Sequence, residues 1–220
     1  MLGTNMSTRI KRILIADDHD IIRRGVRTLL ETRADLRVVV EASSGREALE
    51  AARDSSPDIA IIDYSLPELN GRDLTFKLRK MLPRLEVLIF TMHDQEEMIR
   101  DVLQAGARGF VLKSDTERHL FAAIDALAAH RPYFSGAISE TLLTQYLRGN
   151  PQTTISTLTH REREVVQLIA EGKINKQVAQ ILGISVKTVE THRATAMQKL
   201  KLRTTAELVR YAVRNHIVDA

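Results

Sequence analysis

The sequence predicts two domains: an α/β domain on a five-stranded, doubly wound parallel sheet, then a small all-α domain of four helices. Three observations carry this. Short apolar runs rich in Val and Ile alternate five times with stretches of helical period between residues 12 and 129. The alternation stops near His130, and beyond a stretch with Gly, Pro and Thr at 148–157 the pattern is helical throughout. Charge is also uneven: residues 151–220 hold 11 Lys and Arg against 6 Asp and Glu, while residues 1–150 hold 21 against 22. Strand and helix in strict alternation imply a parallel sheet with helices on both faces.

The strands are placed at RILIA (12–16), RVVVEA (37–42), DIAIID (58–63), EVLIFT (86–91) and RGFVLK (108–113). Each is short, and near-continuous apolar character suits strands covered on both faces. Helices follow at Ile22, Val26, Leu29 and Leu30, which share one face opposite Arg23, Arg24 and Arg27, and at 45–54, 71–81, 95–106 and 116–129. RPYFSG, with Pro132 and Gly136, reads as the exit from this domain, whose expected bounds are 10–130. Residues 131–156 read as a linker with one helix at 138–147, and 157–220 as the second domain.

Composition narrows the class further. At 220 residues and 44 % hydrophobic, the chain can fill ordinary cores. It has no Cys, which rules out a disulfide framework and a thiolate zinc site. No apolar stretch approaches the roughly 20 residues a membrane span needs, and no signal-peptide pattern opens the chain, so no membrane association and a cytoplasmic location are expected. The opening MLGTNM has no periodicity, and Met6 is a natural start. The excess positive charge of the last third points to an anionic partner, nucleic acid being the commonest.

Three carboxylates, Asp17, Asp18 and Asp20, follow the first strand within four positions, and Asp63 closes the third. In a parallel α/β sheet, ligand groups gather where strands deliver their carboxyl ends. Asp17, Asp18 and Asp63 converging there repel one another unless a cation intervenes, and a hard, oxygen-seeking ion such as Mg²⁺ fits. Asp20 falls in the first turn of the next helix, where an acid favours the dipole, and reads as structural. The fourth strand ends in the hydroxyl of Thr91 and the fifth in the ammonium of Lys113. Acid cluster, hydroxyl and Lys at successive strand ends make a phosphoryl site in which one Asp attacks phosphorus.

RILIADDHD, DYSLPELNG, FTMHD and GFVLKSD resemble the CheY-like receiver domain of two-component response regulators, a CheY/flavodoxin-like fold, over about residues 10–130. The resemblance implies that Asp63 accepts a phosphoryl group from a sensor histidine kinase. It implies that Asp18 ligates Mg²⁺ directly, Asp17 mostly through water, and Ser65 through its backbone carbonyl. Thr91 and Lys113 would hold phosphoryl oxygens, and Phe110 takes the place of the aromatic switch, often Tyr in this family. Ser65 and His93 sit at positions that influence phosphoryl lifetime.

In the second domain, two helices meet at Gly183-Ile184-Ser185, and Ser185 suits an N-cap. At 100° per residue, Val186, Val189, Ala196, Met197 and Leu200 share one face of the second helix, and Lys187, Thr188, Thr191, Ala194, Thr195 and Gln198 the other. An apolar back and a small, polar front suits a helix laid in the DNA major groove. Alone, the pattern favours an ordinary amphipathic helix in a small bundle over a DNA-reading one, by roughly two to one. LTHRERE, NKQVAQILGIS and KTVETH are similar to the LuxR-type helix-turn-helix of NarL/FixJ response regulators, over about 157–215. That resemblance maps base contacts onto Glu190, Thr191 and Ala194. Phosphate contacts fall to Lys176, Lys187, Thr188 and Lys199, with Lys201 and Arg203 adding to the field. Arg193, beside the apolar face, is expected to pair with Glu162 or Glu164. Leu208, Tyr211 and Ala212 recur at helical spacing in the last helix; the resemblance implies a dimer contact in addition to core packing.

The expectation is a transcriptional response regulator, not an enzyme. Phosphorylation of Asp63 with Mg²⁺ alters dimerisation and binding to double-stranded promoter DNA, with a homodimer in the phosphorylated or DNA-bound form. Two rivals stand beside it. A phosphotransferase or phosphatase with an Asp nucleophile usually has a second acid two residues on, where this chain has Ser65. A receiver switched without phosphorylation would not need the full set of Asp17, Asp18, Asp63, Thr91 and Lys113.

Overall fold

The computed structural model describes residues 10–115, 117–136, 138–140 and 158–219. Strands β1 (Lys11–Ala16), β2 (Leu36–Ala42), β3 (Ile59–Ile62), β4 (Glu86–Thr91) and β5 (Gly109–Leu112) alternate with helices α1 (Asp20–Leu30), α2 (Gly45–Ser55), α3 (Gly71–Met81), α4 (Glu96–Gln104) and α5 (Glu117–Ala128). The sheet is parallel in the order β2-β1-β3-β4-β5-β6.

The sixth strand corrects the expected count of five. It is the two-residue β6 (Tyr133–Phe134), paired in parallel with Gly109 and Phe110 of β5. Backbone bonds Tyr133 N–H to Arg108 O (3.0 Å) and Ser135 N–H to Phe110 O (3.2 Å) hold it on the edge. An edge strand is where a neighbouring Pro132 is tolerated, because only one side of the strand is paired. The expected linker helix at 138–147 lies mostly outside the described residues; Ile138, Ser139 and Glu140 are helical.

Alternation along each strand divides the core in two. Leu14, Ala16, Ala60, Ile62, Val87 and Ile89 face Ala48 and Ala52 of α2, Leu74 and Leu78 of α3, and Met98, Ile99 and Val102 of α4. Ile13, Ile15, Ile59, Ile61, Leu88 and Val111 face Val26 and Leu30 of α1, and Leu120, Ala123, Ile124 and Leu127 of α5. Successive side chains of a strand point to opposite faces, so an apolar strand serves two helical layers at once.

The helical part comprises α6 (His160–Ala170), α7 (Asn175–Leu182), α8 (Val186–Lys199) and α9 (Thr205–Arg214). Thr159 caps α6 by accepting from Glu162 N–H (3.2 Å), while Glu162 Oε2 accepts from Thr159 N–H (2.8 Å). Gly183, at φ 64°, ends α7 in the left-handed conformation that costs a glycine least, and Ser185 caps α8 by accepting from Thr188 N–H (3.1 Å). Val165, Val166, Leu168, Val178, Val189 and Leu208 form its core. None of the helices searched among the described residues is long and apolar enough to cross a membrane.

Candidate functional site

The sheet order reverses between β1 and β3, and this switch point delivers the acidic residues side by side. Backbone bonds run one step past the strands: Asp17 N–H donates to Ala42 O (3.1 Å) and Asp63 N–H to Ala16 O (2.8 Å). Gly71 N–H closes the turn after β3 on Tyr64 O (2.7 Å). A Cβ at Gly71 would lie 2.4 Å from the Asp63 carbonyl oxygen, so the start of α3 approaches the site only as glycine.

One ligand atom from each of Asp17, Asp18, His19 and Asp63 lies within 4.8 Å of the others. Asp17 and Asp63 are 3 % and 4 % exposed, while Asp18 opens to solvent. Lys113 Nζ sits 2.7 Å from Asp17 Oδ2 and 2.7 Å from Asp63 Oδ2. Lys113 N–H donates to Thr91 O (2.8 Å), which ties the ends of β4 and β5 together, and Thr91 is wholly buried. All five of Asp17, Asp18, Asp63, Thr91 and Lys113 therefore gather at one edge of the sheet.

Burial pushes the Asp63 carboxyl above its ordinary value; Lys113 works against the rise without cancelling it. Burial opposes the Lys113 charge too, but Asp63 and Asp17 outweigh it and hold the ammonium above its ordinary value. Asp63 Oδ1 is buried with no hydrogen-bond partner. A buried anionic oxygen without a partner, among hard oxygen donors, is what a small divalent cation satisfies, so the residues present fit Mg²⁺.

Around this centre, Phe110 is 0 % exposed, packed inward beside Ile89. Ser65 Oγ is 3.3 Å from His93 Nε2, which joins the two loops that follow Asp63 and Thr91. Asp20 is the first residue of α1 and pairs with Arg23. His19 escaped the sequence reading: its Nδ1 is 2.8 Å from Asp18 Oδ1. Its place directly after the two Asp residues was the available signal.

The helical part docks on the same edge. Gln167 Nε2 donates to Leu66 O (3.0 Å), and Gln167 Oε1 accepts from Asn70 N–H (2.9 Å). Glu171 Oε1 accepts from Glu68 N–H (2.9 Å). Beside them Asp73 is wholly buried, with Arg72 Nη1 at 2.6 Å, His160 Nδ1 at 3.0 Å and Arg163 Nε at 3.7 Å. His160 stacks on Phe76 at 3.7 Å, and Lys77 pairs with Glu164. Asp219 Oδ1 reaches to 3.6 Å from His93 Nε2. Apart from the adjacent Arg72 and Asp73, these pairs join residues about a hundred positions apart, and nothing local in the sequence announces them.

On α8, Lys187, Glu190, Thr191 and Ala194 are exposed and Thr188 is half-buried, and Lys176 is exposed on α7. Lys199, expected at a DNA phosphate, is exposed and pairs its Nζ with Glu162 Oε1 and Oε2 at 2.9 and 2.8 Å. Three expectations are corrected. Arg193 does not pair with Glu162 or Glu164, which are taken by Lys199 and by Arg161 and Lys77; it donates to Thr205 Oγ1 (2.6 Å) and Asn175 Oδ1 (3.3 Å). Val186, placed on the apolar back, is 40 % exposed because it opens the helix before the core begins. Leu208 and Ala212 are wholly buried in the helical core, so as surface groups of a dimer contact they are displaced; Tyr211 alone of the three is partly accessible.

A doubly wound sheet with this acid, Lys and Thr edge, joined to a helix-turn-helix, defines a receiver coupled to a DNA-binding module. The response regulator receiver domain family matches residues 13–125, and the family of bacterial regulatory proteins of luxR type matches 156–212. The chain belongs to the response regulators with a receiver domain and a LuxR-type helix-turn-helix. It is 36 % identical over 215 residues to the oxygen regulatory protein NreC of Staphylococcus carnosus, covering 94 % of this chain and 99 % of that one. It is also similar to RcsB of Salmonella enterica serovar Typhimurium bound to a promoter with the phosphomimetic BeF3⁻, at 27 % identity and a TM-score of 0.60, covering 91 % of this chain and 97 % of RcsB. A LuxR-family response regulator from an Aurantimonas species matches at 36 % identity and a TM-score of 0.60, over 62 % of this chain and 98 % of that one.

Proposed function

We propose that this response regulator is switched by phosphorylation of Asp63 and that the switch sets its dimerisation and its binding to double-stranded promoter DNA. The observation that carries the reading is the buried Asp63 carboxylate, one oxygen held by Lys113 and the other without a partner. A carboxylate oxygen of Asp63 attacks phosphorus, the bond from phosphorus to the histidine kinase's imidazole nitrogen breaks, and the electron pair leaves with that nitrogen. Asp17, Asp18, Asp63 and the Ser65 carbonyl would hold Mg²⁺, which would neutralise charge at the phosphoryl oxygens. Lys113 contributes a fixed cation there, and Thr91 a hydroxyl donor. Phe110, already inward, is the packing element through which a shift of Thr91 reaches the β4–β5 surface.

The DNA module reads bases with Glu190, Thr191 and Ala194 and contacts phosphates with Lys176, Lys187 and Thr188. Glu190 accepts from a cytosine amino group rather than contacting phosphate. The domain bounds that suit this division are 10–130 and 157–220. The chain acts as a regulator rather than a turnover enzyme, in the cytoplasm, as a homodimer on DNA. Kinship with RcsB, whose promoter complex contains a phosphomimetic, supports this order of events. The test is selection of duplexes from a random pool, followed by titration with and without acetyl phosphate and Mg²⁺. Tighter binding by phosphorylated wild type than by Asp63→Asn is expected; equal binding would sink the control claim.

A further inference from the structure

His19 stands at the phosphoacceptor edge without a role in the function proposed above. It is the N-cap residue of α1, yet its side chain makes no capping hydrogen bond. Its Nδ1 lies instead 2.8 Å from Asp18 Oδ1 and 3.4 Å from Asp17 Oδ1. His19 N–H donates to that same Asp17 Oδ1 (2.9 Å), which fixes the place of the residue beside the acids. Lys113 occupies one oxygen of each buried acid, Asp17 Oδ2 and Asp63 Oδ2, at 2.7 Å. The other Asp63 oxygen, Oδ1, is buried and has no hydrogen-bond partner.

An acid cluster by itself calls for no ion, but a buried anionic oxygen without a partner does. Asp17, Asp18, His19 and Asp63 each bring one ligand atom within 4.8 Å of the others. Three of the donors are carboxylates, which suit a hard ion; the fourth is an imidazole. With its ring hydrogen on Nε2, neutral His19 presents a lone pair at Nδ1. Such a nitrogen suits borderline ions such as Zn²⁺, whereas Mg²⁺ prefers carboxylate, carbonyl and water oxygens. Zinc bonds of about 2.0–2.1 Å in a tetrahedron place the ligand atoms about 3.4 Å apart. His19 Nδ1 and Asp17 Oδ1 already have that spacing, and Asp18 is exposed enough to widen from 2.8 Å.

We propose that His19 is a metal ligand, and that with Asp17, Asp18 and Asp63 it forms a site for a borderline divalent cation that excludes Mg²⁺. The proposal rests on the reading that these three acids hold a divalent ion. Mg²⁺ takes an octahedral shell and keeps several waters, which leaves positions for phosphoryl oxygens. A four-coordinate ion with four protein ligands has no open position. It also takes the Asp63 oxygen that Lys113 leaves free. Borderline ions therefore oppose phosphorylation of Asp63 by competing with Mg²⁺ for the same acids.

The test uses the full chain, with Zn²⁺ and Mg²⁺ affinities measured separately by calorimetric titration. The visible spectrum of the Co²⁺ form reads the coordination, and intact mass reads the adduct formed from acetyl phosphate with Mg²⁺. The variants are His19→Ala and His19→Asn. The ring is largely exposed and caps nothing, so both should fold, and Asn keeps a donor for Asp18. Wild type is expected to bind Zn²⁺ more tightly than Mg²⁺ and to show the intense absorption of four-coordinate Co²⁺. Both variants should lose that absorption and at least about tenfold in Zn²⁺ affinity. Their Mg²⁺ affinity should stay within about threefold of wild type, because the imidazole is no ligand for Mg²⁺. Zn²⁺ should suppress the adduct on wild type and spare it on the variants. Unchanged Zn²⁺ affinity in the variants, or Zn²⁺ and Mg²⁺ affinities falling together, overturns His19 as a ligand and leaves the Mg²⁺ reading intact. Full labelling of wild type saturated with Zn²⁺ overturns the closed shell. Failure of wild type to bind either ion overturns the proposal and the Mg²⁺ reading together.

Discussion

Lys113 Nζ lies 2.7 Å from Asp63 Oδ2, while Asp63 Oδ1 is buried without a hydrogen-bond partner. Half of the carboxylate is thus neutralised by the protein and half is left for something the protein does not itself supply. This division sets the energetics of the site. Burial holds the Asp63 carboxyl above its ordinary value, so its contribution to stability is present below the ordinary carboxyl pKa. It is lost as pH rises through the folded value.

At neutral pH the charged Asp63 therefore costs stability in the metal-free protein. Asp63→Asn should raise the midpoint of thermal unfolding, by a stabilisation on the order of 1 kcal/mol. Added Mg²⁺ should stabilise wild type by about 2.7 kcal/mol at a hundredfold excess over Kd, and the variant much less. Calorimetry with and without Mg²⁺ reads both. A variant that is less stable and equally responsive to the ion would contradict the account.

Lys187 and Lys199 should separate cleanly. The Lys187 side chain is 88 % exposed, 3.9 Å from Glu190, so Lys187→Ala weakens DNA binding and leaves stability within about 0.5 kcal/mol. Lys199 is paired with the nearly buried Glu162 of the α6 cap, and its loss should cost about 1 kcal/mol of stability. Chemical unfolding alongside DNA titration distinguishes the two.

Leu208 and Tyr211, one turn apart, also predict opposite phenotypes. Leu208→Ala empties a fully buried position and should cost about 2–5 kcal/mol, enough to unfold the small helical core. Tyr211 is partly accessible, and burial raises its hydroxyl pKa, with Arg163 opposing and Asp101 adding to the rise. Tyr211→Ala should keep the fold and alter domain docking or dimer formation, measured by circular dichroism and sedimentation.

Acid should loosen the contact between α3 and α6. Burial works to raise the Asp73 carboxyl, but the bond to His160 and the charges of Arg163 and Arg72 outweigh it and hold it below its ordinary value of 3.8. Its stabilisation is present above 3.8 and is lost as pH falls through the lower folded value. Wild type should lose more stability between about pH 4 and pH 2 than Asp73→Asn does, since only wild type has this carboxylate to protonate. Equal losses in denaturant titrations would count against it.

The sheet and its edge were legible in the sequence because both obey local rules. Two-faced burial makes each strand an apolar run, and a parallel sheet sends every carboxyl end to one side, so the sequence alone places Asp17, Asp63, Thr91 and Lys113 together. What was not legible depends on distant partners. Tyr133–Phe134 became a strand only because Gly109 and Phe110 offered an open edge. Arg193 went to Thr205 because Glu162 and Glu164 had closer cations. Gln167 reads as one more polar residue on α6 until the loop at 66–70 is brought against it.

The most direct measurement is the intact mass of wild type and Asp63→Asn after incubation with acetyl phosphate, with and without Mg²⁺. The account predicts one phosphoryl adduct on wild type, dependent on Mg²⁺ and absent from the variant. An adduct of equal yield on Asp63→Asn, or none on wild type, would contradict it.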